Sequence, residues 1–177
     1  MKPQPLDEAR GLFRETCRRF ARDHIAPHAV EWEEAERFPR ALYKAAARIG
    51  LQGAGFPEAY GGSGADILMP LVGIEGLLEG GSTGVVVGLQ SLGIALPPIL
   101  QLGTEAQKQR YLPPAIAGDT VWALAITEPG TGSDVAGVRT RARRDGDDYI
   151  LDGAKIFITS GCRADHVTVL ARTGEDP

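Results

Sequence analysis

The sequence predicts an α+β chain of more than one domain, with an all-α helical bundle over residues 1–120 and a β domain over residues 121–177. Two observations support this fold class. Up to Gly118, apolar residues recur at the three- and four-residue spacing of amphipathic helices. Beyond it, short apolar runs are separated by turn residues such as Asp145-Gly146, which is the pattern of strands and hairpins. The change of pattern places the domain boundary near residue 120.

Two helices are predicted in the first fifty residues. The first begins after Asp7, a suitable N-cap, and ends near Pro27. The second runs over residues 40–49, with Pro39 at its start and Gly50 at its end. The apolar residues of the first helix recur at helical spacing: Ala9, Leu12, Phe13, Cys17, Phe20 and Ala21.

The next segments are more apolar. Residues 67–78 are apolar nearly all round, which predicts a buried helix. Residues 80–104 carry no charge and are long enough to span a bilayer, but their six glycines and two prolines favour a buried helix pair. Thr104 and Gln107 fit a capping box that opens a last helix, which Pro113-Pro114 are expected to close.

Five strand-like segments follow. The alternation of Val138, Thr140 and Ala142 with arginines predicts a half-exposed strand. The other four segments are residues 121–126, 149–151, 156–159 and 167–170. We expect the β domain to be incomplete, because so few strands would leave unpaired edges and little core.

Composition excludes several classes of protein. The 43% hydrophobic and 24% charged residues fit a globular chain, and the 23 glycines and 12 prolines have no period that would indicate a fibrous or low-complexity protein. A net charge of −4 argues against a nucleic-acid partner. The N-terminus lacks the apolar core of a signal peptide. Cys17 and Cys162 have no ligand spacing and are predicted to be free thiols, which favours a cytoplasmic location.

Two segments carry the candidate site. Residues 127–134 combine Thr127 and Ser133 hydroxyls with two glycines whose amides a ligand can approach, although a tight structural turn has the same composition. Val135 stands where a dinucleotide fingerprint needs glycine. In residues 153–161, Phe157 could stack on a ring and Thr159 could bond its edge, whereas an aromatic in a strand is usually core.

Other polar residues are weaker candidates. Glu128 and Asp134 are either bases or hydrogen-bond acceptors of the turn. His24 and His28 have helical ligand spacing but no third ligand, so surface histidines are favoured. The arginines after Val138 predict a solvated sheet face, or at most a contact with a phosphate-bearing ligand.

Two motifs together resemble a known family. AITEPGTGSD at residues 125–134 resembles the signature of the acyl-CoA dehydrogenases, and DGAKIFITSG at residues 152–161 resembles their second characteristic stretch. Residues 50–62 and 103–113 are also similar to the family, so the resemblance covers nearly the whole chain. It implies a helical N-terminal domain and a middle β-barrel domain, truncated here, with the family's C-terminal helical domain absent.

The resemblance implies an FAD enzyme that oxidises an acyl-CoA to its 2-enoyl-CoA. In the family a glutamate removes the α proton, a hydride leaves the β carbon for the flavin, and electrons pass to an electron-transfer flavoprotein. That glutamate lies in the C-terminal domain, which also supports the family's tetramer. No catalytic residue is therefore assigned, and the 177-residue chain alone is expected to be inactive.

The resemblance also implies which residues line the flavin. Ser133 would in addition contact the acyl-CoA. Many family members have Trp in place of Phe157, which can stack but lacks the indole donor. The implied flavin contacts are Leu124, Ile126, Thr127, Gly132 and Ser133 on one side, and Phe157, Ile158 and Thr159 on the other.

Two alternatives stay open. The chain could be a truncated, non-catalytic module that binds a ligand or a partner protein. It could also resemble the acyl-CoA oxidases or nitroalkane oxidases of the same superfamily, which differ in how oxygen reaches the reduced flavin.

Overall fold

In residues 7–64 and 66–174, which the computed structural model describes, eight α-helices precede four strands. The helices are α1 (Glu8–His24), α2 (Ala29–Glu34), α3 (Ala41–Arg48), α4 (Leu68–Leu78), α5 (Thr83–Leu89), α6 (Leu92–Ala95), α7 (Pro97–Leu102) and α8 (Glu105–Ile116). The strands are β1 (Trp122–Ala125), β2 (Arg141–Asp145), β3 (Asp148–Asp152) and β4 (His166–Val169). The predicted order of a helical part and then a β part is confirmed.

Helix α1 begins as predicted, because the Asp7 side chain accepts a hydrogen bond from Arg10 N at 2.9 Å. It packs along α4, and the two backbones come close at Gly76. A Cβ atom at Gly76 would lie 2.5 Å from the Arg14 carbonyl oxygen, so only glycine fits there. Helix α2 was not predicted, since most of its side chains are exposed and it lacks an apolar stripe.

Residues 80–104 fold into three short helices instead of one pair. Ser82 caps α5 by accepting from Val85 N at 3.1 Å. In the described part of the chain no single helix is long and apolar enough to cross a membrane. Helix α5 and the helical segment Leu92–Leu102, whose axes form an angle of 41°, are together long and apolar enough, by length and composition only. The pair contributes buried side chains to the core: Val85, Val86, Leu89, Leu92, Ala95 and Leu96.

The capping box of α8 is confirmed, with Thr104 N 2.8 Å from Gln107 Oε1 and Gln107 N 3.3 Å from Thr104 Oγ1. The prediction that Pro113-Pro114 close this helix is wrong. Prolines lack an N–H but their carbonyls still accept, and Ala117 N donates to Pro113 O at 2.9 Å. Burial of Ile116 holds the last turn in the core.

Two apolar clusters form the core. The first joins α1, α3, α4 and α5, and the second is built by α6, α8 and neighbouring residues. Val121 belongs to the first cluster and Trp122 to the second, so the start of the β part lies inside the helical packing. The boundary at residue 120 therefore stays a prediction.

Two pairs of strands are present in the described residues, without a closed barrel. β1 and β4 pair in parallel, with Trp122 opposite His166. β2 and β3 form the predicted antiparallel hairpin, which turns at Gly146 with a φ of 63°. The predicted strand over 156–159 is wrong, because Phe157 adopts a left-handed φ of 56° and Gly161 N donates to Ile158 O at 2.9 Å in a turn.

Candidate functional site

The first candidate segment is a turn at the end of β1. Glu128 N donates to Thr131 O at 2.9 Å and Thr131 N donates back to Glu128 O at 3.1 Å. The predicted tight turn is therefore present. A Cβ atom added at Gly130 or Gly132 would have no neighbouring atom within 4 Å. Their backbone amides donate to none of the described residues. This backbone is open to a ligand.

The predicted flavin-contacting residues of this segment differ in exposure. Leu124, Ile126 and Thr127 are half-buried, whereas Gly132 and Ser133 are exposed at the tip of the loop. Among the described residues, neither tip residue is hydrogen-bonded to residues 157–159. Hydrogen bonds therefore join the base of the loop, at Ile126 and Thr127, to the second segment at Lys155 and Ile156.

The second candidate segment presents Phe157 with 90% of its surface exposed, in the strained left-handed conformation. Ile158 is half-buried and Thr159 is exposed. A bulky apolar side chain held outward in this way is unusual for a core residue. The interpretation of Phe157 as core is therefore wrong.

Ser160 and Arg163, at and just after the end of this segment, attach it to the helical part. Tyr43 Oη and Ser160 Oγ lie 3.4 Å apart, and Arg163 donates to Phe38 O at 3.2 Å. The Arg163 guanidinium also lies 4.3 Å from the centre of the Phe38 ring. These contacts fix the second segment relative to the helices.

Lys155 joins the two segments. Its Nζ atom donates to Ile126 O at 2.9 Å and to Glu128 Oε1 at 2.8 Å. Next to it, Ile156 N donates to Thr127 O at 3.0 Å. The sequence prediction did not assign Lys155 a role. The available signal was a lysine directly before the apolar residues 156–158, since a charge in such a place needs a partner.

Glu128 is buried and ionised. Its carboxylate accepts from Arg139 N at 2.7 Å and from Thr140 N at 2.9 Å, besides Lys155. The Lys155 ammonium, then the nearby Thr140 hydroxyl and the two backbone amides, lower the pKa of Glu128 to about 2, against an opposing effect of burial. With three hydrogen bonds, one of them within the ion pair with Lys155, Glu128 acts as the structural acceptor, and the base role considered for it is not supported.

A concavity of about 480 Å³ opens beside β1, β4 and the second segment. Its mostly apolar lining and the exposed Phe157 ring fit a flavin ring, whereas Gly130 and Gly132 are not among its lining residues. The lining residues are Ala125, Lys155, Phe157, Ile158, Gly161, Cys162, Val167 and Val169.

The weaker candidates lie elsewhere. His24 contacts the Phe20 ring and His28 stacks on Trp32, with ring centres 4.9 and 5.0 Å apart. Across residues 7–64 and 66–174, no three His, Cys, Asp or Glu side chains are grouped so that they could hold a metal ion. The arginines of β2 are exposed, as expected of a solvated sheet face.

The chain is similar to proteins of one family. The family models for the N-terminal and middle domains of acyl-CoA dehydrogenases match residues 7–119 and 123–177. The mitochondrial long-chain specific acyl-CoA dehydrogenase of Mus musculus is 41% identical over 165 residues, which are 93% of this chain and 38% of that protein.

The solved structures that resemble this chain include proteins described as acyl-CoA dehydrogenases. A putative acyl-CoA dehydrogenase from Mycobacterium smegmatis superposes with a TM-score of 0.92 at 48% identity, over 96% of this chain and 45% of the other. A glutaryl-CoA dehydrogenase of the same organism, in complex with FADH2, gives 0.88 at 36% identity, over 95% and 43% of the two chains. The chain therefore spans less than half the length of these relatives. Two matched domains and these likenesses lead to one conclusion: the chain belongs to the acyl-CoA dehydrogenase family.

Proposed function

We propose that this protein takes part in the FAD-dependent oxidation of an acyl-CoA to its 2-enoyl-CoA, and that this chain supplies part of the flavin site. The hydrogen bond from Ile156 N to Thr127 O carries the proposal, because it joins the two segments that resemble the family motifs. The complex of the related glutaryl-CoA dehydrogenase with FADH2 supports the choice of cofactor.

The proposed contacts are those that the resemblance implies. Thr127 supplies a hydroxyl for the polar edge of the flavin, and Phe157 supplies an exposed ring for stacking. Leu124, Ile126, Gly132, Ile158 and Thr159 complete the surface, and Ser133 also contacts the acyl-CoA. When bound, FAD supplies a two-electron acceptor for hydride.

The α-proton of the substrate needs a positioned base. Glu128 is engaged by Lys155 and two amides, and Asp134 is exposed. As the family resemblance implies, we place the base outside this chain. The domain boundary at residue 120, an electron-transfer flavoprotein as electron acceptor, a homotetramer and a cytoplasmic location are also proposals. The free thiols Cys17 and Cys162 are consistent with a reducing compartment.

The test uses the protein expressed from its complete reading frame. The expected result is a yellow protein with a flavin absorption spectrum that is bleached anaerobically by acyl-CoA, with dye reduction exceeding hydrogen peroxide formation. A colourless protein that reduces no dye with short, long or branched acyl-CoA would contradict the proposal. Peroxide in place of dye reduction would favour the oxidase alternative.

A further inference from the structure

We propose that Lys155 and Glu128 are a positioning pair, which holds the loop after β1 in register with the segment that carries Phe157. The inference rests on the proposed function, since it concerns residues beside the flavin contacts. It assigns no chemical step to either side chain.

The contacts of Lys155 are the first step. The side chains of Lys155 and Glu128 are only 11% and 6% exposed, so both charges lie largely out of water. A buried ammonium must be satisfied by acceptors, and Lys155 finds two of them, Ile126 O and Glu128 Oε1. One side chain therefore fixes the loop at two points.

The contacts of Glu128 are the second step. Oε1 also accepts from Thr140 N, and Oε2 accepts from Arg139 N. The carboxylate thus ties the chain before β2 to the loop after β1. Three segments that are distant in sequence meet at this single ion pair.

The consequence for the flavin site is local. Ile126 and Thr127 are held on one side by Lys155 Nζ and Ile156 N, while Phe157 follows directly. A displacement of Lys155 would move the proposed contacts on both sides of the ring. Ser133 at the loop tip is not among the hydrogen-bond partners of Lys155 in the described residues and would be affected less.

A charge-neutral double variant separates positioning from stability. Lys155→Met alone leaves the buried Glu128 carboxylate without its ammonium, so it must destabilise the fold. Adding Glu128→Gln removes that charge, and its single amide oxygen can accept from only one of the two backbone amides that Glu128 now binds. Ile126 O still lacks its donor and one backbone amide lacks its acceptor, so stability should recover in part while the loop remains displaced.

The experiment measures urea unfolding midpoints, FAD dissociation constants and flavin absorption spectra in the protein expressed from its complete reading frame. Lys44→Met is the matched control, because Lys44 makes an exposed ion pair with Asp119 at 2.6 Å. We expect K155M to lower the urea unfolding midpoint and to weaken FAD binding. In the double variant we expect a urea midpoint above that of K155M but below that of wild type, FAD binding about tenfold weaker and a shifted flavin spectrum. The control should match wild type.

Recovery of FAD affinity together with stability in the double variant would reduce the pair to a structural role and overturn the proposal. If K155M and the double variant do not fold, Lys155→Arg keeps the charge but moves the donors. Weaker FAD binding at a normal midpoint is then expected, and unchanged binding overturns the proposal. A wild-type protein that binds no FAD would instead defeat the proposed function itself.

Discussion

Thr127 and Ser133 belong to one loop but lie in different surroundings. Thr127 is half-buried at its base and Ser133 is exposed at its tip. We expect Thr127→Ala to weaken FAD retention several-fold, since a neutral hydrogen bond contributes about 1 kcal/mol. Ser133→Ala should instead raise the KM for acyl-CoA.

FAD titration and steady-state kinetics of the protein expressed from its complete reading frame check both changes. The exposed Thr83 offers a matched Thr→Ala control. Unchanged flavin content in the Thr127 variant would argue against the assigned contact.

Phe157 combines an exposed ring with a left-handed backbone, which destabilises a residue that has a Cβ atom. Phe157→Gly relieves this strain and removes little burial, so the free energy of unfolding should rise by up to about 1 kcal/mol. FAD binding should weaken, because the stacking surface is gone. Urea unfolding and FAD titration of the same variant test this. A variant that is less stable than wild type and binds FAD as tightly would refute the interpretation.

At this scale, the sequence pointed to candidate residues whose signal is local, such as Thr127 in the same short segment as Gly130 and Gly132. It did not predict the role of Lys155, whose two partners lie 27 and 29 residues away along the chain. A lysine's neighbours in sequence do not identify its acceptors. Burial and pairing are properties of the folded packing.

Among the elements, α1 and α4 depend on close backbone contact. Gly76→Ala would place a methyl group 2.5 Å from Arg14 O, so we expect a loss of about 1–3 kcal/mol in the free energy of unfolding. Gly11→Ala is the matched control, because nothing lies within 4 Å of its Cβ position and alanine favours helix. It should stabilise the fold by up to about 1 kcal/mol. Equal effects of the two substitutions in thermal or urea unfolding would contradict this packing.

The starts of α1 and α8 were predicted and the end of α8 was not, for a physical reason. Asp7 and Thr104 cap their helices with their own side chains, so the signal lies within four residues. The continuation of α8 past Pro114 depends on burial of Ile116 in the core. The turn at 156–159 depends on contacts with the helical part, which outweigh the apolar, strand-like composition of that segment.

For the whole molecule, Glu128 predicts how stability depends on acid. Its pKa falls from 4.5 to about 2 on folding, so the native state binds fewer protons than the unfolded state between these values. The stabilisation by the ionised group is complete above about pH 4.5 and is lost as the pH falls towards 2. Urea unfolding between pH 2 and 7 should show a steeper decline for wild type than for Glu128→Gln in this window. Parallel declines would mean that Glu128 is not the responsible group.

The two-part architecture was predictable from the change of pattern and from the family motifs. The parallel pairing of β1 with β4 was not, since apolar runs carry no information about their partners. The sequence pattern also did not predict that Val121 and Trp122 pack in the two apolar clusters of the helical part.

The position of β1 has a consequence for how the chain folds. Trp122 packs in the second cluster with α6 and α8, which precede it in the chain, so β1 can be in place before residues 166–169 leave the ribosome. A docked strand then offers its free edge as a template, and β4 adds to it late. Long-range parallel pairing is slow when both strands must search for each other, but here only one of them has to.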